Sequence, residues 1–180
     1  MAYTIEEHQH RLAFWAASRG AMRVRANLDV YAGKALLEAC GFLPNFSNPS
    51  LLPAPQDIDQ IHQGWRDTIK MEALNHHIPN FTDGITAKLI NCYSKVRFVC
   101  AGHHLDIRVR SLHPPIDSLM FKKNAKANFG GEASAWRHFN RVGWSNFDAA
   151  QYQAIINLVR SSLNHGEPLW KAEEFWPGYR

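Results

Sequence analysis

The sequence predicts an all-α protein: about eight helices in one orthogonal domain that spans residues 1–180. Three observations indicate this fold class. Apolar residues recur at helical spacing in most segments. Glycines and prolines separate those segments, and no convincing pair of strands is present. A chain of 180 residues can bury one substantial core but is short for two domains.

Two helices are predicted before the first proline-rich segment. The first covers residues 4–19, begins at Thr4 as N-cap, and carries an apolar stripe formed by Ile5, Leu12, Trp15 and Ala16. The second follows a cap at Asn27 or Asp29 and stops at Gly41, a suitable residue just past a helix end. Both helices are therefore defined mainly by their termini.

Residues 42–56 contain four prolines and little periodicity, which predicts a surface loop inside the single domain. A third helix begins after Asp57 and ends by Pro79, with an apolar stripe formed by Ile58, Ile61, Trp65 and Ile69. The loop is read as a connection rather than a domain boundary, because the helices before it are too few to fold alone.

The second half of the chain continues with a loop over 103–115, in which residues 107–110 could form a short strand. A helix over 116–127 follows, and then a shorter one that carries Trp136 and Phe139. The most regular apolar stripe comes next, after a capping-box-like start at residues 145–148, and consists of Tyr152, Ile155, Ile156, Val159 and Leu163. A turn-rich helix from Pro168 to Trp176 closes the pattern.

Composition limits the possible functions. No apolar run reaches 18 residues and the N-terminus lacks the features of a signal peptide, so we expect a cytoplasmic protein with no membrane partner. Three cysteines without CxxC spacing predict reduced, mostly buried thiols rather than a zinc or iron–sulfur site. We expect no metal and no cofactor. The formal charge of +4 permits an anionic partner such as nucleic acid.

The most informative segment is a fourth predicted helix, which begins at Thr82 or Asp83 and runs through Cys100 to Gly102. One broad apolar face of this helix contains Ile85, Leu89, Cys92, Tyr93, Val96, Val99 and Cys100. Lys88 lies at the edge of that face, where partial burial would lower its pKa as a Schiff-base-forming nucleophile requires. The alternative is that the ammonium of Lys88 extends past the apolar surface into water.

A second candidate lies at the turn Leu112-His-Pro-Pro-Ile-Asp117. The two prolines fix the backbone and deliver Asp117 to the first turn of a helix, where amide groups and the helix dipole favour a carboxylate. Asp117 could be a simple helix cap. It could also be a rigidly held catalytic carboxylate about 29 residues after Lys88.

These two motifs resemble the helix-hairpin-helix DNA glycosylases, and most closely the 8-oxoguanine branch of that family. Residues 87–90 and 115–117 carry the resemblance, and the C-terminal segment from Pro168 resembles the ends of a bacterial protein family with the same turn. The resemblance implies a glycosylase fold, a Lys88 nucleophile that attacks the sugar carbon as a damaged base leaves, and an Asp117 carboxylate that stabilises positive charge and assists proton transfer. It also implies duplex DNA with a flipped base as the partner. The family's hairpin binds phosphate through its amides, which makes Gly84 the candidate here, although residues 78–84 contain one glycine where the family has two.

A basic and aromatic cluster predicts a nucleic-acid surface over residues 122–141. Gly130 and Gly131 could present free amides to a phosphate, and Trp136 could stack on a base. The basic residues of the cluster are Lys122, Lys123, Lys126, Arg137 and Arg141. The alternative is an ordinary solvated basic face with Trp136 turned inward.

Other interpretations remain open. Arg108 and His113 have the Arg-x4-His spacing that resembles helical HEPN ribonucleases. A non-enzymatic nucleic-acid- or protein-binding module with the same fold is also possible. The histidine pairs at 76–77 and 103–104 are better explained as surface residues than as metal ligands. The C-terminal Trp170, Glu173, Glu174 and Trp176 form either packing or a cleft wall.

Overall fold

The structure, a computed structural model, describes residues 3–22 and 28–178. Every regular element within these residues is helical, which confirms an all-α fold with eight α-helices. Residues 107–110 form the short helix α5 rather than a strand, because Asp106 accepts hydrogen bonds from the next turn's amides. The helices are α1 (Ile5–Ala21), α2 (Val30–Ala39), α3 (Ile58–Asn75), α4 (Asp83–Ser94), α5 (Ile107–Arg110), α6 (Ser118–Ala127), α7 (Ala133–Val142) and α8 (Ala149–Ser162).

Side-chain caps explain most of the helix starts. Thr4, Asp29 and Thr82 each accept a hydrogen bond from an amide of the first turn, as the sequence predicted. The alternative cap at Asn27 lies outside the described residues. The start of α8 lies later than predicted, because its capping box is formed by Asp148 with Gln151 and residue 145 belongs to a preceding 3-10 turn.

The predicted apolar stripe of α1 is wrong. Ile5, Leu12 and Trp15 are at least half exposed, and the buried face consists of His10, Ala13, Ala17, Ser18 and Ala21. Small residues let α1 approach its neighbours closely. A Cβ at Gly33 of α2 would lie 2.1 Å from Oγ of Ser18, so this contact requires glycine.

Helix α4 lies at the centre of the molecule. It packs against α1, α2, α3 and α8 and against the 3-10 turn Trp144–Asn146. All but one of its residues are buried, so α4 is covered on every side rather than amphipathic. Its first half packs into one apolar cluster through Ile85 and Ala87, and its second half into another through Leu89 and Tyr93.

The predicted continuation of α4 changes its hydrogen bonding after Ser94. Residues Lys95–His103 form a π-helix, whose wider turn places Arg97 and Phe98 inside. Cys100 is exposed, so its predicted burial is wrong, and Val99 is only half-buried. The helical period assumed from the sequence does not hold across this segment.

The buried guanidinium of Arg97 holds the loop over residues 42–56. It donates hydrogen bonds to the carbonyls of Pro44 and Phe46, at 2.6 and 3.3 Å. Most of the loop is at the surface as predicted, with Phe42 and Leu52 anchored in the core. Among the described helices, none combines the length and apolar character needed to cross a membrane.

Candidate functional site

Lys88 and Asp117 meet between α4 and α6. Lys88 lies in the second turn of α4, and Asp117 is the N-cap of α6, two residues after Pro115. Nζ of Lys88 is 3.1 Å from Oδ2 of Asp117, although the residues are 29 positions apart in sequence. The other carboxylate oxygen, Oδ1, accepts a hydrogen bond from the amide of Met120 at 2.8 Å. Asp117 is therefore both a helix cap and the ion-pair partner of Lys88.

This pair lies in the wall of a cavity with a volume of about 990 Å³. That volume is at the upper end of the roughly 300–1,000 Å³ range of small-molecule sites. α1, α4, the Pro115–Leu119 segment and the C-terminal segment all contribute to the wall. Its residues include Ala16, Arg19, Gly20, Cys92, Lys95, Val96, Trp144, Glu173 and Trp176.

The electrostatics of Lys88 differ from the sequence prediction in two respects. Its side chain is only 6% exposed, so the ammonium does not extend past the core into water. Burial is the largest influence and acts to lower its pKa, yet the neighbouring Cys92, Asp117 and Glu173 together reverse the direction, and the pKa lies above its ordinary value. Cys92 could add negative charge only as a thiolate, and burial raises the pKa of that thiol. The predicted low pKa of Lys88 is therefore wrong for the resting state.

A second ion pair lies beside the first. Nζ of Lys95 is 2.9 Å from Oε1 of Glu173 and 4.5 Å from the centre of the Trp176 ring. Glu173 is 10% exposed, and burial raises its pKa despite the neighbouring Lys95. The C-terminal segment thus forms one wall of the cavity. The sequence had left open whether this segment is a cleft wall or only packs against the core.

Several residues of this cavity were not identified from the sequence, among them Trp144 and Arg19. Trp144 lies in a 3-10 turn, and the centre of its ring is 5.8 Å from Nζ of Lys88. Arg19, in the last turn of α1, is exposed at the rim of the cavity. Neither residue belongs to a motif, and only the packing of distant elements brings them to Lys88.

The predicted phosphate-binding role of Gly84 is wrong. Its amide already donates to the carbonyl of Phe147 at 3.2 Å, and the residue is buried. A Cβ at this position would lie 1.7 Å from the carbonyl oxygen of Trp144, so glycine is required for packing. The single glycine of this hairpin therefore holds α4 against the 144–147 turn.

Three of the predicted basic residues line a shallow groove between α6 and α7. These are Lys122, Lys126 and Arg137. Because helix positions four apart share a face, Lys122 lies one turn beyond Ser118, which lines the main cavity. Lys123 and Arg141 lie on the same two helices outside the groove lining.

Two of the remaining predicted nucleic-acid contacts, Trp136 and Gly131, are wrong. Trp136 is completely buried and its indole N–H donates to the carbonyl of Phe129 at 3.1 Å, so it offers no ring face for stacking. The amide of Gly131 donates to the carbonyl of Asn128. Gly130 has a positive φ of 64° and lies against Ser162. These glycines form a tight turn in which the amide of Gly131 is already bonded.

The predicted ribonuclease pair is not assembled. Arg108 lies in α5, whereas His113 follows the end of that helix and is buried. Both ring nitrogens of His113 are engaged, with Oδ1 of Asp59 at 2.9 Å and the hydroxyl of Tyr152 at 3.0 Å. A buried, fully bonded histidine cannot act on a polynucleotide at the surface.

Among residues 3–22 and 28–178, no group of three or more His, Cys, Asp and Glu side chains is arranged to hold a metal ion. The fold and the cavity define a helical protein in which a buried lysine pairs with a half-buried aspartate at a ligand-sized site. No family model, curated protein or solved structure matches the chain. The likeness to helix-hairpin-helix glycosylases therefore rests on the residues alone.

Proposed function

We propose that the chain is a base-excision DNA glycosylase with lyase activity, acting on a flipped, damaged base. The observation that carries this proposal is the distance of 3.1 Å between Nζ of Lys88 and Oδ2 of Asp117 in the wall of a large cavity. A nucleophile beside a group that can take its proton is the arrangement expected for covalent catalysis.

The proposed chemistry assigns one role to each member of the pair. Lys88 is protonated at rest, so its ammonium first transfers a proton to the carboxylate of Asp117. The neutral amine then attacks the anomeric carbon of the sugar. The bond from that carbon to the base breaks, and the base departs with the electron pair and takes up the proton held by Asp117. The bond from the carbon to the ring oxygen then breaks, the oxygen takes a proton from the Lys88 nitrogen, and a Schiff base forms. Loss of a C2′ proton to the Asp117 carboxylate expels the 3′ phosphate with its electron pair, which cleaves the strand, and water hydrolyses the Schiff base to return Lys88 as the free amine.

The cavity walls fit an extruded nucleoside. Trp144 and Trp176 provide aromatic surface on which a base can stack, and stacking contributes about 1–3 kcal/mol per base. Cations at the rim and in the α6–α7 groove, Arg19, Lys122, Lys126 and Arg137, suit the phosphates on either side of a flipped nucleotide. The groove begins one helical turn from the cavity, as a continuous DNA strand would require.

Borohydride trapping tests the proposal. Wild-type protein incubated with duplex DNA containing 8-oxoguanine or an abasic site should give a covalent adduct on reduction, because borohydride fixes a Schiff base. Lys88→Met should give no adduct. Lys34→Met, which removes a surface lysine of α2, is the matched control and should react like the wild type. Adduct formation by Lys88→Met, or neither adduct nor base release on any damaged duplex, would contradict the proposal.

A second candidate is a non-enzymatic nucleic-acid-binding protein. The raised pKa of Lys88 favours it, because a stable ion pair can simply join α4 to α6. DNA binding would then survive Lys88→Met and Asp117→Asn unchanged. Replacing Lys122 or Lys126 by Ala should reduce the slope of log affinity against log salt by about one for each lost phosphate contact. Salt-titrated binding measurements, with trapping on the same variants, separate the two candidates.

A further inference from the structure

A chain of buried hydrogen bonds runs from α3 to the turn that carries Asp117. Asp59 contacts His113, which contacts the hydroxyl of Tyr152 on α8. That hydroxyl is 3.0 Å from Nδ2 of Asn91 on α4, and the same amide nitrogen is 3.0 Å from the carbonyl oxygen of Pro114. Tyr152, Asn91 and His113 are each at most 3% exposed.

The donor and the acceptor of each hydrogen bond in this series follow from Asp59, which can only accept. Arg160 donates two hydrogen bonds to Asp59 and, with His113, holds the pKa of that carboxyl far below its usual range, so Asp59 only accepts. Burial lowers the pKa of His113, which is therefore neutral, with its proton on Nε2. Nδ1 then accepts from the hydroxyl of Tyr152, whose oxygen accepts from Asn91. The Asn91 amide is thereby oriented with its second N–H toward Pro114.

Helix α4 therefore contacts the Pro114–Asp117 turn through two of its residues. Lys88 binds the side chain of Asp117, and Asn91, three residues later and on a neighbouring face, binds the backbone of Pro114. Only one of the two contacts is broken in the proposed reaction. Lys88 must leave the carboxylate to form a bond with the sugar, whereas Asn91 takes no part in the chemistry.

We propose that Asn91, oriented by Tyr152, is a positioning residue that keeps the Pro114–Asp117 turn in place while Lys88 reacts. The role of Asn91 in catalysis rests on the proposed function. Its role in holding the turn that carries Asp117 does not depend on that function and can be measured without any substrate. With the turn held, the carboxylate stays beside the reacting centre to accept the proton and to face the developing positive charge.

Tyr152→Phe is the variant that tests this inference, because it removes one hydroxyl and keeps the ring. Tyr93→Phe is the matched control: Tyr93 is also a buried tyrosine, and its hydroxyl is 2.9 Å from a histidine Nδ1, that of His10. Asn91→Ala removes the contact to Pro114 directly. Single-turnover base release should fall about tenfold in Tyr152→Phe and further in Asn91→Ala, with DNA affinity and the Tyr93→Phe rate unchanged.

Two further measurements distinguish positioning from general damage to the fold. In an Asp117→Asn background, Tyr152→Phe should have no additional effect on the rate, since it acts through Asp117. The amide of Met120 donates a hydrogen bond to Oδ1 of Asp117. Hydrogen exchange of this amide should accelerate in Tyr152→Phe and Asn91→Ala but not in Tyr93→Phe.

Each outcome is decisive. Equal rate losses in the wild-type and Asp117→Asn backgrounds, or unchanged Met120 exchange in both Tyr152→Phe and Asn91→Ala, would overturn the positioning role. If wild-type protein releases no base, the proposed function fails. The exchange measurement then still decides whether Asn91 and Tyr152 hold Asp117.

Discussion

Lys88 keeps its proton because a carboxylate lies 3.1 Å away, although the side chain is almost fully buried. Burial is the largest single influence on its pKa and acts to lower it, but the neighbouring Cys92, Asp117 and Glu173 together outweigh burial. In the proposed reaction, Lys88 becomes a nucleophile only after one proton moves to Asp117.

Asp117→Asn separates the two influences on Lys88. Asn retains the N-cap acceptor of α6 but not the charge, so burial should dominate and the pKa of Lys88 should fall. NMR titration of the Lys88 side chain measures this. The free energy of unfolding should decrease by roughly 2 kcal/mol, because a buried cation loses its partner at a site that solvent partly reaches.

Asp148→Asn, at the N-cap of α8, is the control for this substitution. It should leave both the Lys88 titration and the unfolding free energy nearly unchanged. A Lys88 pKa that stays raised in Asp117→Asn would mean that Cys92 or Glu173, rather than Asp117, keeps Lys88 protonated.

At the scale of secondary-structure elements, α4 connects the core to the site. The helix contributes to two apolar clusters and also carries Lys88, Asn91 and Cys92. Its first turn packs against the turn that contains Trp144, a wall of the cavity. Any shift of α4 against that turn would therefore change both stability and the shape of the site.

Gly84→Ala tests this contact. The new methyl group would lie 1.7 Å from the carbonyl oxygen of Trp144, which cannot move without displacing the turn. We expect a loss of about 3 kcal/mol in the free energy of unfolding, measured by chemical denaturation. Gly64→Ala in the exposed face of α3 meets nothing within 4 Å and should stabilise the protein by about 0.5–1 kcal/mol. Equal effects of the two substitutions would contradict the close approach of α4.

At the scale of the whole molecule, buried neutral histidines predict acid sensitivity. Burial lowers the pKa of His10, His62 and His113 below the ordinary value of 6.5. In the unfolded state these residues bind protons at a higher pH than in the folded state. Stability is therefore present above pH 6.5 and declines as the pH falls below it, by up to about 1.4 kcal/mol per pH unit for each histidine.

Denaturation at pH 7 and pH 5 measures this loss. His62→Gln should reduce the difference between the two values, and the exposed His165→Gln is the control. Asp59 adds a second contribution with the same sign, but its stabilisation is lost only below its ordinary value of 3.8. Equal stability at pH 7 and pH 5 would contradict the buried neutral state of the histidines.

Short-range signals made much of the fold predictable. Thr4, Asp29 and Thr82 cap helices through hydrogen bonds to the next turn, and such bonds depend only on neighbouring residues. The stripe of α8 was also predicted correctly, since it faces one continuous cluster. The stripe of α1 was predicted wrongly, because its buried face consists mostly of small residues, which an apolar pattern does not mark as buried.

The sequence by itself determined the helical class, most helix starts, and the identity of Lys88 and Asp117 as candidate site residues. Tertiary structure decided that they form an ion pair, that the pKa of Lys88 is raised, and that Trp136 and Gly84 serve packing. The physical reason is the distance along the chain over which each effect acts. Caps and periodicity act within a turn or two of helix, whereas burial, charge pairing and cavity shape depend on elements far apart in the chain.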